Sequence, residues 1–157
     1  MAQGPDYPFD KLDYGETREV ADGIFWVRMP LPFALNHINL WLLADGDGWT
    51  AIDTGYNNDE TRAFWDAAFD RVLGGRPIRR LMVSHFHPDH ASLAGWFAER
   101  WDAPIWMTYS EWMQAQLNRY GGPTADIDAR MDFYAENGME QEGIDGYRAT
   151  RPDFSKI

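Results

Sequence analysis

The chain has 157 residues, room for one domain around one sizeable core, and its 45% hydrophobic content excludes global disorder. Twenty-five acidic residues against 14 basic ones give a net charge of −11, spread along the chain, which argues against a basic face for nucleic acid or anionic lipid. With no cysteine, disulfides and thiolate metal sites are excluded, and any metal must be held by imidazole and carboxylate.

Residues 1–15, rich in Pro, Gly and Asp, read as an irregular lead-in, and residues 16–157 as a single domain. The opening carries no basic start followed by an apolar run, and no apolar stretch reaches the ~18 residues of a membrane span, so the chain reads as cytoplasmic. "REVADGIFWVRMP" gives two strand-like runs around Asp22-Gly23, a hairpin signal. "HINLWLLADGDGWTAIDTG" repeats the pattern around Asp45 to Gly48. After Gly55 the period changes: Phe64, Trp65, Ala68, Phe69 and Val72 follow helical spacing, with a cap from Asn57 to Asp59 and a stop at Gly74-Gly75. "IRRLMVS" is a short strand, "ASLAGWFAERW" one helix and "IWMT" a further short strand. Helices are expected near 109–120 and 124–137, and little regular structure from Asn137 onward, where glycines recur. The eight tryptophans read as a heavily aromatic core, the alternative being that some rings line a pocket or an interface. Early antiparallel strands followed by βα units give an α/β, layered domain (α+β in its segregation) built on a mixed sheet.

Three of the four histidines fall within "HFHPDH", which holds His85, His87, Asp89 and His90 where a strand hands over to a helix. Residues two apart on an extended loop point to one side, so His85 and His87 can converge on one ion. Pro88 restricts His87 to extended conformations and turns Asp89 back toward the site. His90 opens a helix, from which its ring can reach a second ion. Imidazole and carboxylate without thiolate suit zinc, with iron or manganese as alternatives.

"HFHPDH" is similar to the HxHxDH signature of the metallo-β-lactamase superfamily, and "AIDTG" and the double hairpin before it resemble that family's opening segments. The likeness runs over roughly residues 17–118 and implies the N-terminal half of an αββα sandwich with a mono- or dinuclear metal centre. It implies His85 and His87 on the first metal, Asp89 and His90 on the second, and Asp53 bracing the loop from beneath. It further implies a hydrolase in which water activated by one or two zinc ions attacks an ester, thioester or lactone-type substrate, a small molecule. Asp89 would be the catalytic residue that orients the nucleophile and shuttles its proton. His37 is a weaker candidate for lining the substrate cleft.

The family completes its centre with a downstream histidine and aspartate and a final histidine, and no histidine follows His90. The chain is therefore expected to be truncated, lacking the C-terminal half and exposing an apolar sheet face. A second copy, as a homodimer, or another chain is expected to cover that face. The alternative to a hydrolase is a non-catalytic or incomplete metal-binding module that needs a second chain.

Overall fold

A computed structural model describes residues 8–120 and 127–150. Six strands form one sheet in sequence order: β1 (Thr17–Ala21), β2 (Ile24–Pro30), β3 (His37–Asp45), β4 (Gly48–Ile52), β5 (Ile78–Met82) and β6 (Ile105–Trp106). The first four pair antiparallel through the two hairpins read from the sequence. β5 and β6 then add in parallel, each after a helical crossover, as parallel pairing requires. The result is the α/β class on a mixed sheet.

Helix α1 (Asp59–Val72) is capped by Asn58, whose side chain accepts the Thr61 N–H. It follows β4, while α2 (Pro88–Ala91) and α3 (Ala94–Trp101) follow β5. α1 and α3 bury their apolar stripes on one face of the sheet, where Trp65 and Phe69 stack on each other, Phe97 meets both edge to face, and all three join the core cluster with Leu40, Leu42 and Leu81. Burial of these large rings supplies most of the driving force for this layer.

The other face is different in kind. Cross-strand register aligns Trp26, Trp41, Ile52, Met82 and Trp106 in one row over five strands. Met82 is 42% exposed and Trp106 51%. The tryptophans thus divide, with Trp65 and Trp49 in the core, and half-buried Trp26 and Trp41 and exposed Trp106 on the opposite face. Part of this face near β2 is closed by the lead-in, where Tyr14 stacks on the buried Arg28 guanidinium at 4.5 Å. Residues 1–7 of that lead-in lie outside the described residues.

Two expectations need correction. The helix expected over "ASLAGWFAERW" is two, because the side chains of Thr54 and Asn57 capture the backbone of Leu93 and Ser92 between α2 and α3. The segment after Asn137 is not irregular: after α4 (Tyr109–Arg119) and α5 (Ile127–Glu136) comes α6 (Gln141–Thr150). Its glycines cost helix propensity, but Ile144 is buried, Tyr147 meets Tyr134 and accepts from Arg130, and Arg148 pairs with Asp128. Packing against α5 overrides the local preference. The start expected near 124 for α5 lies outside the described residues.

Candidate functional site

β4 and β5 run parallel, so their carboxyl ends lie side by side, and the loops leaving them meet. Such ends are where open α/β sheets place their ligand sites. β4 leads into Asp53, Thr54 and Gly55; β5 leads through Val83 into Ser84 and the histidine loop.

The two loops are stitched together by backbone and hydroxyl groups. The Thr54 amide and hydroxyl both donate to the His90 carbonyl, at 2.9 and 2.8 Å. The same hydroxyl accepts the Leu93 N–H at 3.2 Å. Ser92 is held in turn, its Oγ accepting the Asn57 amide at 2.8 Å and its carbonyl the Asn57 side-chain amide at 3.3 Å. Leu93 thereby spends its amide on Thr54, and this splits α2 from α3. Beneath, the Thr54 carbonyl accepts the indole N–H of the fully buried Trp65 at 2.6 Å. The loop pair is thus tied to the hydrophobic core.

Asp53 occupies the centre. One carboxylate oxygen accepts the Ser84 amide at 2.7 Å; the other accepts the Ser84 hydroxyl at 2.7 Å and stands 2.8 Å from His90 Nδ1. Burial pushes its carboxyl up, but the bonds from His90 and Ser84 outweigh it and hold the group below the usual carboxylate range. An ionised carboxylate only accepts, so His90 Nδ1 carries the proton and its Nε2 is left as a lone-pair donor. Ser84 has spent its proton on Asp53, so its oxygen accepts from His85 Nδ1 at 3.0 Å. His85 Nε2 is then also a lone-pair donor, and it faces His87 Nδ1 at 2.8 Å. These tautomers follow from the network of partners. His85 itself is pushed below the ordinary imidazole value, first by burial and then by His90 and His87.

The loop therefore presents two donor pairs. His85 and His87 form one; His90 Nε2 and Asp89 Oδ2, 3.5 Å apart, form the other. Two nitrogens on one tetrahedral zinc stand about 3.3 Å apart. The second pair matches that spacing, and the first needs the shared proton removed and a small opening. In donor type both pairs fit a zinc-like ion, and in spacing the His90–Asp89 pair does. Among the described residues, however, no three or more such side chains converge on one point, whereas a hydrolytic zinc site takes three protein ligands.

His37 is not brought into this group. It opens β3 at the same end of the sheet, 2.8 Å from the Asn36 side chain, and is kept below the ordinary imidazole value by slight burial and by Arg28 and Lys11. Sequence reasoning did not single out Ser84 and Thr54, whose roles depend on contacts 31 to 39 residues away. Ser84's position beside the first histidine was its only local signal. Near the loop, Ile52, Met82, Val83, Ser84, Trp106 and Met107 line an open apolar cleft of about 420 Å³.

Comparison with known proteins gives a consistent set. A family model described as the metallo-beta-lactamase superfamily matches residues 34–153. A solved beta-lactamase domain protein from Burkholderia ambifaria is 40% identical with a TM-score of 0.76, covering 97% of this chain and 44% of that one. A metallo-beta-lactamase family protein from Thermus thermophilus is 22% identical with a TM-score of 0.63, covering 83% of this chain and 43% of that one. A probable metallo-hydrolase of Bacillus subtilis (strain 168), YybB, is 27% identical over 95 residues, 60% of this chain and 41% of that protein. The chain spans less than half the length of each of these relatives.

Proposed function

Because the chain belongs to the metallo-beta-lactamase superfamily, we propose that it carries the first half of the centre of a metal-dependent hydrolase. In this reading His85 and His87 hold one ion and Asp89 and His90 a second. Zinc is the metal favoured, and iron or manganese also match the donor types. A bound zinc supplies Lewis acidity, which brings water within reach of deprotonation near neutral pH and polarises a substrate carbonyl.

The chain's own residues do the rest. Asp53 and Ser84 occupy the Nδ1 atoms of His90 and His85 and so fix both Nε2 atoms as donors, the role that outer hydrogen bonds play around metal ligands. Asp89 is the acid–base residue, receiving the proton of the attacking water at a carboxylate oxygen. The substrate class is an ester, thioester or lactone of a small molecule, in a cytoplasmic setting. The single observation that carries the reading is the hydrogen-bond chain that ties Asp53 and Ser84 to the Nδ1 atoms of His85 and His90, which in the neutral imidazoles leaves both Nε2 lone pairs for an ion. The test is turnover of aryl ester, acyl thioester and lactone substrates by the zinc-loaded, complete protein. Asp89→Asn is expected to lower kcat by ~100-fold or more, and unchanged turnover in that variant would sink the assignment.

A second reading is favoured by one observation, that the donors stand in pairs and no three converge among the described residues. In it the chain is a metal-binding module whose centre is completed by a second copy or another chain seated over the uncovered sheet face. It predicts zinc uptake without turnover until that partner is added.

A further inference from the structure

We propose that Glu111 is a positioning residue of the histidine loop, holding the peptide between His85 and His87 from the first turn of α4. The local sequence "TYSE" explains why a carboxylate is available there. Thr108 caps α4 with extended backbone, φ −68° and ψ 152°, and its hydroxyl accepts the Glu111 amide at 3.4 Å. Thr and Glu three apart form a capping-box pair, in which the glutamate normally turns back to the amide of the cap residue. Here the Glu111 side chain reaches outward instead. Its Oε2 accepts the Phe86 N–H at 3.0 Å, a contact across 25 residues.

Phe86 is the residue between the two histidines. Phe86 lies beyond β5, which ends at Met82, and Glu111 supplies an acceptor for its part-buried amide, a group whose desolvation is costly when its hydrogen bond is lost. A carboxylate is the stronger kind of acceptor for it. The Phe86 ring lies 4.6 Å from that of His87 and 6.5 Å from that of His85. Fixing this one peptide therefore sets the directions in which the flanking imidazoles leave the chain, and with them the 2.8 Å approach of Nε2 to Nδ1. Asp53 and Ser84 secure the proximal side of the loop; Glu111 secures the far side from a different helix. The effect works through a hydrogen bond, so a neutral acceptor of the same shape preserves it: glutamine can still offer an oxygen to the Phe86 amide.

What the positioned imidazoles then do rests on the metal reading above; the contact itself does not. The experiment compares the 157-residue chain with Glu111→Ala, Glu111→Gln and Thr108→Ala, the last weakening the α4 cap without touching Phe86. Two quantities are read, amide hydrogen exchange at Phe86 and the dissociation constant for zinc. Glu111→Ala is expected to speed Phe86 exchange by ~10-fold or more and to weaken zinc ~10–100-fold, the range for lost outer support. Glu111→Gln should stay within ~3-fold of the parent on both, and Thr108→Ala should leave Phe86 protected. Unchanged Phe86 exchange in Glu111→Ala overturns the proposal, as does an equal loss in Thr108→Ala, which would make the effect one of helix folding. Should Glu111→Ala fail to fold, the glutamine variant decides: parent-like Phe86 protection is expected, and its loss contradicts the hydrogen-bond role. Failure of the parent chain itself to bind zinc removes the metal reading, while Phe86 exchange still decides whether Glu111 orders the loop.

Discussion

Asp53 leaves β4 with φ 59°, in the left-handed region, and from there its two oxygens reach Ser84 and His90. After glycine, Asp and Asn are the residues that enter this region most readily. The strained backbone and the hydrogen-bond hub therefore coincide, as strain often does at working sites. Two substitutions separate the roles. Asp53→Asn keeps backbone tolerance and an acceptor for the Ser84 amide but loses the charge that fixes the His90 tautomer. It should fold near normally and bind zinc ~10–100-fold more weakly. Asp53→Ala adds a left-handed penalty of about 1–2 kcal/mol, visible in urea denaturation beyond any effect seen with Asn. Two residues on, Gly55 has φ 82°, and a Cβ there would lie 2.9 Å from Thr61 Cγ2. Gly55→Ala is expected to destabilise by ~2 kcal/mol or more, read by the same denaturation. The sequence made Asp53 visible only through resemblance; its partners depend on a parallel strand pairing that no local pattern reveals.

At the level of elements, both hairpins, the α1 stripe and the β5-to-loop handover were legible, because turn glycines and hydrophobic period are local signals. The break between α2 and α3 was not. "ASLAGWFAERW" has unbroken helical character, and only the Thr54 hydroxyl and Asn57, arriving from the β4 loop, divert its backbone bonds. Thr54→Val keeps the shape and removes that hydroxyl, leaving the Leu93 amide without its acceptor. The expected cost is about 1–3 kcal/mol, measured as a lowered denaturation midpoint with an unchanged m-value. The α6 helix was missed for a related reason: Ile144 and Tyr147 gain from α5 what Gly143 and Gly146 lose in propensity.

Among the described residues, α1 and α3 cover one side of the sheet, and the row from Trp26 to Trp106 occupies the other. Within that row Trp26, Trp41 and Ile52 are half-buried, while Met82 and Trp106 at the β5–β6 end are exposed. The 157-residue chain is expected to enhance the fluorescence of a hydrophobic dye, and Met82→Glu combined with Trp106→Glu to abolish most of that signal without loss of helical circular dichroism. A dye signal unaffected by the pair would place the exposed apolar surface elsewhere. Which face of the sheet the helices cover was not legible in the sequence, because it is decided by chain order and crossover handedness.

Metal binding by the loop "HFHPDH" through His85 and His87 is read in zinc content. The purified chain, saturated with zinc and freed of excess, should retain metal, with His85→Ala and His87→Ala each folded but losing most of it. Zinc retained equally by the two variants, or none held by the parent chain, would rule out these two ligands.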